Sequence, residues 1–362
     1  MKNSPFGKLF AGLVILIAVL VIALHFLNRG TLSPPAPVSL APTNHFALSP
    51  FVFHHPQVQP TEQPQANATR QPKISREKVE AWLAKHNRDA MSLLTARALN
   101  DTNYLNEAAT NFPNNPQVEL AVLAHDEFPA DRRKWLDLIK ASSPSNSLAN
   151  YLSAQDYLKN GNSAAAIQEL LAADGKSQFD AFQTENLLDA EDLYSSSGDS
   201  AKETATFAMA DMSEEDLPEM ATLKRLSQGI GDLEQQYLNS GDADSAANLA
   251  EMGMTYANRL ESGDSGKYII NQLVGIAVES VVLQKLDPNT SYDFLNGETP
   301  SQVVQEDKQQ RQATMPTYQD FQAVYPRLTD DEIANYFKRV EIYGELDAMK
   351  WVIQQHPSNS QQ

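Results

Sequence analysis

The chain contains no cysteine. That single absence removes disulfides, thiolate zinc sites, iron–sulfur clusters and cysteine nucleophiles. Positive charge is also short: 28 Lys and Arg stand against 46 Asp and Glu, a formal net charge of −18. The deficit is uneven, because residues 1–72 are net +3 and the remainder carries −21. An acidic body repels phosphate backbones, so no nucleic-acid partner is expected. Apolar–polar alternation of the kind that makes half-buried strands is scarce.

Motifs that would carry chemistry fail on their spacing. Gly266-Lys267 ends like a P-loop, but Glu261 and Tyr268 fill the positions that need Gly and Ser or Thr. Gly263-Asp264-Ser265-Gly266 sits between two helical stretches, with no β framework to supply a base and an oxyanion hole. Gly229-Ile230-Gly231 lacks the third glycine and the strand of a dinucleotide fingerprint. His54 and His55 have no further ligands at metal-binding spacing. His125, Asp126 and Glu127 are consecutive and do not share a helix face. "SEEDLPE" (213–219) lacks the spacing of a calcium loop and reads as an acidic helix start. No catalytic residue, metal ligand or cofactor is therefore expected.

What is present begins with an address. Residues 9–27, "LFAGLVILIAVLVIALHFL", contain no charge. As a helix they would be about 28 Å long, close to the hydrocarbon thickness of a bilayer. Lys2 and Lys8 precede them, and after Arg29 no Lys or Arg occurs until Arg70. The positive-inside rule then keeps the N-terminus cytoplasmic and exports the body to the periplasmic or extracellular side. The competing reading is a cleaved signal peptide, which would have a shorter apolar core and a small-residue cleavage site. Residues 1–29 are thus read as a cytoplasmic tip and single transmembrane anchor. Residues 30–74 follow as a flexible tether, with nine of the twenty prolines between 30 and 73. Its "FVFHHP" stretch (51–56) reads as plain linker or as a short apolar contact motif.

From Ser75 the texture becomes helical. Ser75 is a plausible N-cap, and Val79, Trp82 and Leu83 follow at one-face spacing. Residues 267–286 are apolar almost all round, yet Gln272, Glu279 and Gln284 would be costly in lipid, so a buried central helix is expected there. Residues 288–318 read as a polar excursion. A frame recurs three times: Tyr157, Gly161-Asn162, Ala166; Tyr194, Gly198-Asp199, Glu203; Tyr237, Gly241-Asp242, Ala246. The tyrosines are 37 and 43 residues apart. The glycine can end one helix in a left-handed conformation, the Asn or Asp can cap the next, and the small residue allows a close crossing. A hairpin of this kind has an apolar face that it cannot bury alone, so units stack.

This frame resembles the tetratricopeptide-repeat superfamily in divergent form. Tyr157, Gly161 and Ala166 match its pattern, as do Tyr237, Gly241 and Ala246; Glu203 departs from it, and Asn150 stands where the pattern has tryptophan. The resemblance implies an all-α fold, an array of antiparallel helical hairpins over residues 75–357, followed by a tail at 358–362. It also implies a concave groove lined by first helices, with Tyr151, Gln155 and Lys159 in one repeat, Glu185 and Asp192 in the next, and Gln228, Gln235 and Asn239 in the third. The function expected is a non-catalytic scaffold or adapter for a protein or peptide partner, basic by charge complementarity to the acidic body. The alternatives are an envelope enzyme on a helical fold, built around His86, His125 or His356, and a purely architectural assembly subunit.

Overall fold

The computed structural model describes residues 74–97 and 101–357, with the side chains of 213–219 left aside. The expected anchor, the tether with its "FVFHHP" stretch and the tail at 358–362 lie outside the described residues. Within them the chain is all-helical: no named strand occurs, and Asn146 and Gln178 form an isolated bridge. The helices run α1 Arg76–Lys85, α2 Ala90–Ala96, α3 Thr102–Asn111, α4 Pro116–His125, α5 Arg132–Ser142, α6 Leu148–Lys159 and α7 Ser163–Asp174. They continue as α8 Gln183–Ser196, α9 Ala201–Ser240, α10 Ala243–Glu261, α11 Ile269–Leu283, α12 Pro300–Val324, α13 Asp330–Tyr343 and α14 Glu345–Gln355. No helix among the described residues is long and apolar enough to cross a membrane.

Local chemistry sets the boundaries. Ser75 caps α1, its side chain accepting from the Lys78 amide. The three tyrosine–glycine frames all close as Schellman turns. The amide after each glycine bonds the tyrosine carbonyl (Asn162 to Tyr157, 2.9 Å; Asp199 to Tyr194, 3.4 Å; Asp242 to Tyr237, 2.9 Å). Gly161, Gly198 and Gly241 have φ of +73°, +85° and +82°, a region that other residues enter only at a cost. Asn162 and Asp242 cap the following helix, but at the second turn Ser200 does so instead of Asp199. Glu203 completes a capping box with Ser200, which gives that departure from the small-residue pattern a physical reason.

The largest difference from expectation is α9. The acidic stretch 213–219 is not a helix start; it lies inside one helix of 40 residues, about 60 Å long at the standard rise. This helix runs from the second glycine turn to the third and acts as a spine. Against it pack α4, α6, α8, α10, α11 and α13, while α1 and α2 return to α8. In a one-dimensional stack each unit touches only its neighbours; here the ends of the chain fold back on a shared helix. The apolar stretch 267–286 forms α11, which buries Val274, Ile276, Val278, Val282 and Leu283 against α9, α10 and α12. The polar stretch 288–318 is largely helix, as the first three-quarters of α12.

Two polar knots tie the hairpins. Asn150 is buried at 3 % exposure and donates to Glu169 at 2.7 Å. Glu169 also accepts from Lys140 at 2.7 Å and Ser153 at 2.9 Å, so one carboxylate links α5, α6 and α7. Arg259 of α10 donates to the Tyr151 hydroxyl and to the carbonyls of Ala173, Asp174 and Lys176, at 2.7–2.9 Å. A cation is thereby set on the carbonyls at the C-terminus of α7.

Candidate functional site

The expected groove residues differ in exposure. Tyr151 is not a groove residue: it is 1 % exposed, packed on Tyr256 with ring centres 4.5 Å apart and covered by Arg259. Gln155 is half-buried. Lys159, Glu185, Gln228, Gln235 and Asn239 are exposed, and Gln235 donates to Asn239 at 3.1 Å. Asp192 is exposed but engaged, because Trp82 of α1 donates its indole N–H to it at 2.6 Å and His86 lies 3.3 Å away. Of the frame residues, Ala166, Tyr194 and Ala246 are buried and Tyr157 and Tyr237 half-buried. The guanidinium of Arg133 lies 4.0 Å from the Tyr157 ring centre.

A concave feature lies between α2, α4 and α8, with α9 behind it. It is an open cavity of about 80 Å³. Leu94, Leu120, Ala121, Phe182, Leu193 and Met212 give it an apolar lining. Phe182 reaches it because its backbone turns left-handed (φ +58°) just before α8. Arg97, Gln117, His125, Asn186 and Asp211 supply polar groups. Arg97 Nη2 lies 2.6 Å from His125 Nδ1. A guanidinium can only donate, so Nδ1 accepts and the imidazole proton sits on Nε2. Asp211 accepts from the hydroxyl of Tyr194, so a frame tyrosine braces the cavity wall. Sequence reasoning singled out His125 but not Arg97, which is 28 residues away in the chain.

The other candidate histidines are elsewhere. The His86 ring lies tilted against Trp82, with centres 4.3 Å apart, and His356 pairs with Glu332 at 2.9 Å. Among the described residues no group of three or more His, Cys, Asp or Glu is arranged to hold a metal ion.

The most perturbed acids lie away from the cavity. Burial pushes Glu234 of α9 up to about 9, with Lys285 pulling the other way. Burial raises Glu345 to about 7, where it accepts the Ile269 amide at 2.6 Å and caps α11 from α14. Glu191 rises to about 7 from burial and from the neighbouring Glu341 carboxyl. Comparison with protein-family models, curated proteins and solved structures found no match.

Proposed function

We propose that the chain is a membrane-anchored helical-repeat scaffold that binds a protein or peptide partner on the exported side of a cell envelope. Residues 9–27 anchor it, the proline-rich segment spaces it from the bilayer, and divergent tetratricopeptide-like hairpins build the body. The three Schellman-closed turns support the repeat reading, with α9 serving as second helix of one unit and first helix of the next.

The observation that carries the binding role is the cavity between α2, α4 and α8. Small-molecule sites usually enclose about 300–1,000 Å³. A cavity of about 80 Å³, with an apolar wall and a few polar groups that include the Arg97–His125 pair, suits one anchoring side chain of a partner. The test is a photo-reactive residue at Ala121 in the full-length chain in intact cells, with a second one at exposed Asp244 as control. The expected outcome is a discrete crosslinked species from position 121 alone, lost when Ala124→Trp fills the cavity. No species from position 121, or one indifferent to Ala124→Trp, would sink the reading.

A second reading, an envelope enzyme, rests on His125, an imidazole in a cavity wall that also holds Arg97 and Asp211. It would gain if His125→Gln abolished turnover of a substrate while leaving the crosslink from position 121 intact.

A further inference from the structure

Helix α12 is attached to the body at two places. Toward its C-terminus Phe321 and Val324 are buried, and the Phe321 ring stacks 4.8 Å from Tyr336. Near its N-terminus Pro300 is buried, Val303 and Val304 pack on the core, and Asp307 points inward at 8 % exposure. Most residues from 308 to 320 are exposed, and Pro316 removes one bond from the helical ladder there. The N-terminal attachment is therefore made by three apolar residues, a bond from the Ser301 amide to the Pro288 carbonyl (3.2 Å) and one carboxyl.

That carboxyl is bonded to another. Asp307 and Glu279 of α11, itself 6 % exposed, share a side-chain hydrogen bond. Glu261, the last residue of α10, lies over Gly275, one turn before Glu279: a Cβ at position 275 would fall 2.6 Å from Glu261 Oε1. Three carboxyls from three helices thus meet. Glu261 Oε1 and Asp307 Oδ2 are buried and bond to nothing among the described residues. Glu306 and Arg311, on α12 itself, are the other charges that act on Asp307. Lys285, at the end of α11, faces Glu234 of α9, and Glu345 of α14 faces the Ile269 amide. The charged groups that act on Glu279 are Asp307 and Glu261, and no cation is among them.

Two carboxylates cannot hydrogen-bond each other without a proton between them. We propose that Glu279 and Asp307 share one proton beside Glu261 and so form an acid-closed latch, which holds the N-terminal half of α12 to α11 and releases it when the proton leaves to solvent. Burial, then the neighbouring carboxyls, raise Glu279 well above the ordinary carboxyl range, and burial with Asp307 nearby raises Glu261 to about 7. The closed form therefore binds protons more tightly than the open one. Closure is fully favoured below the ordinary carboxyl range of about 4 and is lost as pH rises through the closed-state values. The latch does not depend on the proposed partner role.

The test is amide hydrogen exchange on the detergent-solubilised full chain between about pH 6 and pH 9, corrected for intrinsic rates. Amides of 300–311 should lose roughly tenfold or more in protection across that range, the effect of about one titration unit, while those of α6 and α7 hold theirs. Glu279→Gln and Asp307→Asn each keep a hydrogen bond without a shared proton and should flatten the profile. A wild-type profile for 300–311 no steeper than that of α6 and α7 overturns the proposal, and so does an unchanged slope in both variants. The wild-type comparison decides alone if a variant fails to fold.

Discussion

The two halves of the described body handle acidic side chains in opposite ways. In α1–α7 acidic side chains meet cations: Arg88 bridges Glu80 and Glu107 at 2.6 Å, Arg132 and Arg133 converge on Asp156, and Lys140 holds Glu169. Glu119 is the exception, buried with only Ser142 donating to it among the described residues. In α8–α14 the buried carboxyls Glu234, Glu261, Glu279, Asp307 and Glu345 form no salt bridge among the described residues and all sit above their usual range. A paired acid is protonated late and a buried lone acid early. The acids of the Arg88 bridge therefore contribute stability at neutral and alkaline pH, and the lone acids of the second half contribute it in acid.

The joint between the halves should give the largest effect. Arg259 of α10 makes four bonds to the α6–α7 hairpin and the turn after it. Arg259→Ala should cost about 3 kcal/mol of stability, since charge-assisted bonds contribute about 1.5–3 kcal/mol each but are not additive. Arg259→Lys should recover little, because a single ammonium cannot reach four acceptors set around a planar fork. Chemical denaturation measures both; a loss below about 0.5 kcal/mol for the alanine variant would mean that the halves are joined mainly by apolar packing.

That knot also marks the limit of what the sequence discloses. Helix existence was legible because it is local: the spacing of Val79, Trp82 and Leu83, and the glycines at 161, 198 and 241, are features of single segments. Tyr151 also sits in such a segment, but the arginine that covers it is 108 residues away, so its burial had no local signal. The cavity escaped notice for the same reason, because α2, α4 and α8 are brought together only by packing on α9. The helix start expected at 213–219 failed because tertiary contacts along α9 override local composition. One signal of the carboxyl cluster is local: Glu279 is an acid within a largely apolar run, which speaks against a membrane span and, equally, for a buried acid.

Replacing a lone acid tests the second half directly. Glu234 is fully buried, and neither carboxyl oxygen accepts a bond among the described residues. Its raised value means that stability from this group is present below about pH 4 and is lost as pH climbs toward about 9. Glu234→Met should therefore stabilise the protein by about 2 kcal/mol near pH 8, with the gain shrinking to nothing near pH 4. A gain that persists in acid would assign the effect to packing instead of charge.

A control that should not distinguish the halves comes from the glycine turns. Gly161 lies in the first half and Gly241 in the second, and an added Cβ meets nothing within 4 Å at either. Alanine at each should cost about 1 kcal/mol through its backbone alone, equally at pH 5 and pH 8. Unequal costs, or costs that change with pH, would show that the turns feel the charge of their surroundings.

The smallest expected effect is at the Arg88 bridge. Tyr104 and Arg88 donate to Glu80, and Arg88 donates to Glu107, which lowers both acids below their usual range. Lowered values contribute stability above the ordinary carboxyl range and lose it as pH falls through the folded-state values. Arg88→Met should then be less stable than wild type by within about 1 kcal/mol at neutral pH, because the pairs are only part-buried. The difference should close as pH drops below about 4, and it should shrink in high salt, where the Glu234→Met gain does not. If acid leaves the Arg88→Met difference intact, the contribution of Arg88 is the packing of its stem, and the first half owes nothing to paired charge at this bridge.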